Sequence, residues 1–377
     1  MKILIFIDWF LPGYKAGGPI QSIANFVSHF GHEFEISIVT SNKDLGEVLP
    51  YANIKPNVWL QKENYRIKYL DTKTINTTTY KKLLNEEAYD SVYFNSLFSV
   101  YFSLLPLWFA VRYKKRVVLA PRGMLGAGAL KLSKRKKQVV IWLLKLTGIP
   151  KKIAWQGTAV SEIDEINKCF GEDVHTHLAP NLSAKMAVTC IQKEKQENNL
   201  KLFFLSRISV KKNLIGALNF LKEVNKQYQI TFTIIGPVGE ESYWEECELL
   251  IKKRPNNITI HVVGAIPNLE LPKLLSEQHV LLLPTFHENF GHVILEAFQQ
   301  GCPVILSDQT PWKLLKEQQI GYDIPLGNSK NFTTAIEVFA KMKEDEYQEW
   351  SLNAFDFAKK FCNSKEIIEA NRTLFNK

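Results

Sequence analysis

The sequence predicts an α/β protein of two Rossmann-like halves, each a parallel sheet covered by helices. Three observations carry this expectation: apolar β-type runs alternate with helical patterns, the chain is too long for one core, and a polar stretch near residue 190 separates two βαβ series. The runs are Ile3–Ile7, Phe34–Thr40, Ser91–Phe94, Arg116–Ala120, Leu202–Leu205, Thr231–Ile235, Ile258–Val263, Val280–Leu283 and Val304–Leu306. Strands of this kind separated by helical segments pair in parallel, with helices on both faces. At 377 residues two domains of roughly 150–200 residues are the expected division. Between Ser183 and Leu200 the pattern lapses into Lys193-Glu-Lys-Gln-Glu-Asn-Asn, a linker-like composition. The expected domains are 1–185 and 200–350, facing each other across a cleft. From Ser351 onward Phe355, Phe357, Ala358, Phe361, Ile367 and Ile368 keep helical spacing.

Composition narrows the function classes. Hydrophobic content of 46% is that of an ordinary globular protein. The five cysteines, Cys169, Cys190, Cys247, Cys302 and Cys362, are odd in number and far apart, which suits a reducing cytosol better than a disulfide framework or a zinc site. The apolar N-terminal run is broken by Asp8 and is too short for a signal peptide. The longest apolar run, Leu97–Val111, contains Pro106 and falls short of the roughly 20 residues needed to span a bilayer, so it reads as a buried helix. No Asp-x-Asp, His-Glu-x-x-His or Walker lysine motif occurs, and neither a metal nor a cofactor is expected.

The net charge of +9 is unevenly placed. Lys131, Lys134, Arg135, Lys136, Lys137, Lys145, Lys151 and Lys152 follow one another with no acid between them, interleaved with Val139, Val140, Ile141, Trp142, Leu143, Leu144 and Leu146. Such a segment suits either an anionic membrane surface or a core helix with a solvated rim. No recognisable module supports nucleic-acid binding.

Five stretches offer chemistry. In Leu283-Pro-Thr-Phe-His-Glu-Asn-Phe-Gly-His-Val-Ile-Leu-Glu-Ala-Phe, a strand, a short loop and a helix opening near Gly291 place backbone amides of Asn289, Phe290 and Gly291 where an anion binds well. Glu288 lies in the loop and Glu296 about one and a half turns down the helix. They are either a solvated pair or two acceptor-only groups for a sugar hydroxyl and a ribose diol with a diphosphate between them. The apolar neighbours of Glu296 favour a carboxylate that needs a partner. In Leu202-Phe-Phe-Leu-Ser-Arg-Ile-Ser-Val-Lys-Lys-Asn-Leu, Arg207 and Lys212 can converge on one dianion, the fork of Arg beside the compact charge of Lys, with Lys211 as an ambiguous neighbour. Gly17 and Gly18, ahead of Pro19, form either a structural turn or a loop that holds a phosphate or admits a substrate, and they do not fit the Gly-x-Gly-x-x-Gly fingerprint of dinucleotide enzymes. Gly236 and Val263 end strands, where a nucleobase can sit. Arg122, in Ala120-Pro-Arg-Gly-Met-Leu, either caps the turn or reaches a ligand.

The passage through Glu-Asn-Phe-Gly, Glu-Ala, Gly301-Cys-Pro-Val-Ile and Thr310-Pro-Trp resembles the donor-binding segment of glycosyltransferase family 4, whose members are retaining, nucleotide-sugar-dependent enzymes of the GT-B fold. The pairing of Pro121-Arg-Gly-Met with Thr310-Pro-Trp marks a subgroup of it. The resemblance implies that 1–185 binds the acceptor and 200–350 the nucleotide-sugar donor, that Arg207 and Lys212 bind the donor diphosphate, that Gly17 and Gly18 border the reaction centre, and that the last helix, within 351–377, crosses back to the N-terminal domain. With it, Arg207, Lys212 and Glu288 become the expected catalytic groups, and Gly17, Gly18, Arg122, Gly236, Val263, Asn289, Phe290, Gly291 and Glu296 the donor-binding ones. Many relatives carry a histidine near the Arg122 loop and this chain does not. His29 and His32 flank the end of the first helix, His175 and His177 come late in the first domain, and His287 is in the donor loop. A phosphate oxygen of the leaving group is therefore expected to take the acceptor proton. The implied activity is transfer from a nucleotide diphosphate sugar to a saccharide or lipid-linked saccharide in cell-surface polysaccharide synthesis, in the cytoplasm or at the inner face of the membrane. A nucleotide-sugar epimerase of the same fold and a two-lobed sugar-binding protein are the competing readings.

Overall fold

The computed structural model describes residues 1–131, 134–184, 186 and 189–376. The first part of the chain forms β1 (Lys2–Phe6), α1 (Gly18–Phe30), β2 (Glu35–Ser41), β3 (Trp59–Gln61), β4 (Arg66–Leu70), α2 (Thr77–Asn85), β5 (Ser91–Phe94), α3 (Leu105–Arg112), β6 (Arg116–Leu119), α4 (Ala127–Lys131), α5 (Lys134–Leu146), β7 (Ala154–Gly157), α6 (Val160–Phe170) and β8 (His175–Leu178). The rest forms β9 (Asn199–Leu205), α7 (Leu214–Lys222), β10 (Gln229–Ile235), α8 (Glu241–Lys252), β11 (Ile258–Gly264), α9 (Leu271–Leu275), β12 (Val280–Leu283), α10 (His292–Gln299), β13 (Val304–Ser307), β14 (Gly321–Ile324), α11 (Ser329–Lys341), α12 (Glu344–Cys362) and α13 (Lys365–Thr373). The chain divides into two compact units, Met1–Ala184 with Ser364–Lys377, and Lys185–Asn363.

Unit 1 holds an eight-stranded sheet in the order β3-β4-β2-β1-β5-β6-β7-β8, parallel except for the antiparallel β3–β4 pair. The apolar run of β1 is continuous because both sheet faces are covered. Ile3 and Ile5 pack with Phe26, Phe30 and Tyr93 on one face, and Leu4 and Phe6 pack with Val92, Phe94 and Trp155 on the other. Unit 2 holds a wholly parallel six-stranded sheet, β11-β10-β9-β12-β13-β14. Phe203, Phe204, Phe232 and Phe298 are fully buried in its core. Both units are thus parallel sheets with helices, as the alternating pattern predicts.

Five strands escape the sequence pattern for identifiable reasons. β3 is three residues long, β8 is a largely exposed edge, and β4 and β14 mix charged with apolar residues. β7 carries a buried Gln156, which the sheet accepts because Tyr93 Oη donates to its Oε1 at 2.6 Å and its own Nε2 donates to Ala179 O at 2.8 Å. The 97–111 run is not one buried helix. A π-type turn, Val100–Leu104, leads into α3, and Val100, Tyr101, Leu105 and Trp108 are exposed.

The stretch read as a linker is structural from Lys193 onward. Lys193 and Lys195 are each only 3% exposed. Lys193 Nζ donates to Leu275 O at 2.9 Å and Gln278 O at 2.6 Å, and it lies 2.8 Å from Cys302 Sγ. Lys195 Nζ donates to Gln196 O, Ala340 O and Met342 O at 2.7, 3.0 and 2.9 Å, and burial pulls its ammonium down to about 8. Lysine-rich composition mimics a linker, but two backbone acceptors and a thiol around Lys193, and three backbone acceptors around Lys195, make burial tolerable. At the other end, α12 stays in unit 2 because Phe357 and Phe361 pack on Phe298, Trp312 and Phe290. Only 364–377, rather than 351–377, joins unit 1, where Phe375 packs against Phe26 and Tyr93.

Replacing Lys193 by Met removes the donor from two buried carbonyls, at about 1–3 kcal/mol for unsatisfied groups of this kind. Urea denaturation should show unit 2 unfolding earlier by that amount, with the unit 1 transition unmoved.

Candidate functional site

Lys212 and Glu288, two of the residues singled out in the sequence, meet beyond the carboxyl ends of β9 and β12, which are neighbours in the sheet. After β9 the chain turns through Arg207, a short 3₁₀ turn at Val210–Lys212 and the left-handed Asn213, which caps α7 by accepting from Gly216 N at 3.1 Å. This loop is stitched to the one after β12. Asn213 Nδ2 donates to Pro284 O at 2.9 Å, while Lys211 O accepts from Phe286 N at 2.9 Å and from Thr285 Oγ1 at 3.0 Å. Lys212 Nζ forms an ion pair with Glu288, their side chains 17% and 14% exposed. Burial pushes the Glu288 carboxyl up, but Lys212, with help from Lys211 and His287, outweighs it and holds the group below the ordinary glutamate range. Lys212 was expected to face a dianion beside Arg207, and the structure adds that one of its three N–H donors is already held by Glu288.

Arg207 is exposed at the end of β9, braced by the loop after β10. Ile208 N donates to Pro237 O and Gly239 N to Ile208 O, both at 2.9 Å. A Cβ on Gly239 would lie 2.7 Å from Arg207 Cδ, and one on Gly236 only 2.0 Å from Ser206 O. Only glycine at 236, where φ is +139°, lets the two strand ends approach this closely. Val263, near the end of β11, is 42% exposed.

Gly291, at φ +78°, is the N-cap of α10, and no side chain caps that end. A Cβ here would sit 2.9 Å from Glu288 Cγ and 2.7 Å from Ile294 Cδ1, so glycine keeps the acidic loop against the helix start. Asn289 is partly exposed. Phe290 is instead a core residue, 7% exposed, with its ring against Trp312 and Phe361 and its carbonyl accepting from Trp312 Nε1 at 2.6 Å. The tryptophan of Thr310-Pro-Trp therefore fixes the loop, a role its place in the motif did not reveal. Gln309 is a second residue the sequence did not single out; its carbonyl accepts from Glu288 N at 2.9 Å.

Glu296, on α10, is partly buried. Desolvation pushes its carboxyl up to about 7. It has no hydrogen-bond or ion-pair partner among the described residues, so a donor supplied by a ligand would satisfy it.

The remaining predicted residues belong to unit 1. Gly17, at φ +66°, caps α1, Gly18 is its first residue, and open space surrounds the place of a Gly17 Cβ. Arg122, left-handed at φ +54°, donates from Nε to Asn95 Oδ1 at 2.5 Å, from Nη2 to Tyr93 Oη at 2.7 Å, and from Nη1 to Asn181 Oδ1. Its guanidinium thus ties together the segments after β5, β6 and β8, which is the turn-holding alternative for this residue. The buried Glu162 holds the next residue by accepting from Gly123 N.

The comparisons with known proteins meet this geometry in its second half. Residues 190–357 match the family model of glycosyl transferases group 1. That segment contains Arg207, Lys212, Glu288, Gly291 and Glu296 and is a little under half of the chain. Among curated proteins the chain is 32% identical over 119 residues to an uncharacterized 41.2 kDa protein in the cps region of Klebsiella pneumoniae. It is 27% identical over 109 residues to the O-antigen chain mannosyltransferase B of Escherichia coli. These matches span 32% and 28% of this chain, and 30% and 28% of the two relatives. Solved structures match throughout. HepE of Anabaena, in complex with UDP and glucose, aligns over 99% of this chain and 98% of its own at 14% identity and TM-score 0.67. WaaG, a glycosyltransferase involved in lipopolysaccharide biosynthesis, aligns over 100% and 99% at 12% and 0.69. A sucrose-phosphate synthase of Thermosynechococcus elongatus aligns over 99% and 98% at 13% and 0.71. The fold is GT-B.

Because Glu296 is raised, the folded state holds a proton that the unfolded chain has lost between pH 4.5 and about 7. The resulting stabilisation is complete below the unfolded value and is lost as pH rises through about 7. Glu296→Gln should therefore stabilise unit 2 relative to wild type by roughly 2–3 kcal/mol at pH 8, with the gain shrinking toward zero at pH 4, as read by denaturation at a series of pH values.

Proposed function

We propose that the chain is a retaining, metal-independent glycosyltransferase of family 4 that moves a sugar from a nucleotide diphosphate donor to a saccharide or lipid-linked saccharide in cell-surface polysaccharide synthesis. The observation that carries the reading is the Lys212–Glu288 pair clamped at the β9 and β12 ends, with the desolvated Glu296 on α10, the helix that follows β12. The group 1 match over 190–357 supports the donor half of the reading, and the two curated relatives support the polysaccharide setting.

In this mechanism Glu296 accepts from the ribose diol, and Arg207 with the two remaining donors of Lys212 receives the diphosphate. Glu288 orients Lys212 and faces the sugar hydroxyls. As the bond from the anomeric carbon to phosphate oxygen breaks, negative charge grows on the leaving diphosphate, and cations already in place lower the barrier. The acceptor oxygen bonds to the anomeric carbon on the same face, and its proton passes to a phosphate oxygen of the departing group. That balance needs neither a metal nor a cofactor.

A membrane contact fits one further observation. On α5, Val139, Trp142, Leu143 and Leu146 are between 48% and 64% exposed, beside Lys134, Arg135, Lys136 and Lys145, which are also exposed. Lys137 Nζ lies 5.3 Å from the Phe98 ring centroid, which sets α5 beside the segment exposing Val100, Tyr101 and Trp108. The side chain of Lys131 and residues 132–133 lie outside the described residues. An apolar face rimmed by cations suits the surface of an anionic bilayer.

Arg207→Ala should lower transfer from the best donor in a nucleotide-sugar panel by on the order of 100-fold, with an unchanged unfolding midpoint; wild-type turnover would remove the diphosphate role. An epimerase would instead release nucleotide without an acceptor. In flotation with vesicles containing phosphatidylglycerol, wild type should float and Trp142→Ser/Leu143→Ser should stay at the bottom, whereas equal flotation with neutral vesicles would exclude the electrostatic contact.

A further inference from the structure

The amino-terminal edge of the unit 2 sheet, at the opposite strand ends from the Lys212–Glu288 pair, holds a contact that sugar transfer does not use. The neighbouring strands β12 and β13 start there. Just ahead of them Lys193 meets Cys302, whose side chain is fully buried. Lys193 Nζ lies 2.8 Å from Cys302 Sγ. Two of its three N–H groups are taken by Leu275 O and Gln278 O, which leaves the third for the sulfur. The separation is one that a single oxygen atom, bonded to both, can span.

Both residues are held in place. Gln348 Nε2 of α12 donates to Lys193 O at 2.6 Å, and Cys302 N donates to Ala297 O at 2.9 Å. Ser351 Oγ donates to Gly301 O at 2.7 Å, which fixes the turn leading into Cys302. Two reacting groups fixed in contact need no further ordering before a bond forms. The second thiol of this region, Cys190, has no amine in contact; its Sγ lies 3.8 Å from Ile191 O and 3.9 Å from Ser351 Oγ. Burial pushes the Cys302 thiol up while Lys193 pulls the other way. Little thiolate is therefore present, and oxidation there is slow. A bulky or charged oxidant is excluded from so buried a site, whereas dioxygen is small and uncharged.

We infer that Lys193 and Cys302 form a modification site at which dioxygen joins the amine to the thiol through one oxygen atom, giving an N–O–S cross-link. The ammonium first gives a proton to water. One S–H and one N–H bond then break, an S–O and an N–O bond form, and the second oxygen atom leaves as water with the two hydrogens. Sulfur and nitrogen each lose two electrons, and dioxygen takes up all four. The bridge closes a loop between positions 109 apart, and cross-links over long loops stabilise by restricting the unfolded chain. A thiol reductant reverses it by attack on the sulfur, which belongs to the reducible part of the cysteine oxidation ladder.

The test holds the full chain for days in aerated buffer and, in parallel, without oxygen and with dithiothreitol, then reads intact mass and peptide maps. Aerated wild type should gain one oxygen less two hydrogens, the gain should map to a linked pair of peptides bearing Lys193 and Cys302, and dithiothreitol should restore the native mass. Cys190→Ser should form the same species, whereas Cys302→Ser and Lys193→Arg should not; the arginine keeps donors for the two carbonyls and gives a second readout should Cys302→Ser fold poorly. In urea, unit 2 of aerated wild type should unfold at a higher midpoint than the reduced protein, and the two midpoints should coincide in Lys193→Arg. Unchanged mass after prolonged aeration overturns the inference. So do a loss of two hydrogens alone, which marks a disulfide, a gain of oxygen without loss of hydrogen, which marks thiol oxidation alone, and the cross-linked mass persisting in Lys193→Arg.

Discussion

The geometry at the strand ends of unit 2 depends on the stitching of two loops that the sequence separates by more than seventy residues. β9 and β12 lie side by side, but strand pairing ends before the chemistry begins. Beyond the last ladder bond, Lys211 O, Asn213 Nδ2 and the Lys212–Glu288 pair hold the loops together. Backbone and amide contacts set the spacing, and the ion pair sits within a frame they have already fixed. That order matters because a poorly aligned partly buried pair recovers too little of its desolvation cost. Gly291 completes the frame, since its lack of a side chain is what allows Glu288 to lie against the start of α10.

The two units solve different electrostatic problems. Unit 2 concentrates formal charge at its strand ends, with two lysines, an arginine and two glutamates. At the corresponding edge of unit 1, Arg122 spends its donors on Asn95, Tyr93 and Asn181, and Asp8 is surrounded by hydroxyls. The division follows from which side chains each loop supplies, because the parallel sheets beneath are built alike.

Much of this was legible in the sequence. The nine β-type runs singled out in the sequence are all strands. The donor-loop glutamates and cations stood out because strand, loop and helix signals bracketed them. Legibility failed where composition and environment part company. Lys193 and Lys195 read as solvent-loving linker residues, yet backbone carbonyls that arrive from far along the chain make them core. Phe290 was singled out for its backbone amide, and what the composition hid is that its ring and Trp312 pack against Phe361 of α12. Asp8 passed for a strand terminator, because Ser96 and Ser99 are nearly ninety positions away and only the sheet order brings them to it.

The return of the chain's end to the N-terminal unit has a consequence for biogenesis. Leu374 and Phe375 are buried in the same cluster as Ile3, Ile5 and Phe26. That cluster closes only once residues 364–377 have been made, whereas everything that closes the core of Lys185–Asn363 precedes them in the chain. Although the N-terminal part of a chain usually folds first during synthesis, here the half synthesised first is completed last. Until those residues are made, the nascent polypeptide leaves the Phe26 face of α1 unsealed, a surface suited to a chaperone.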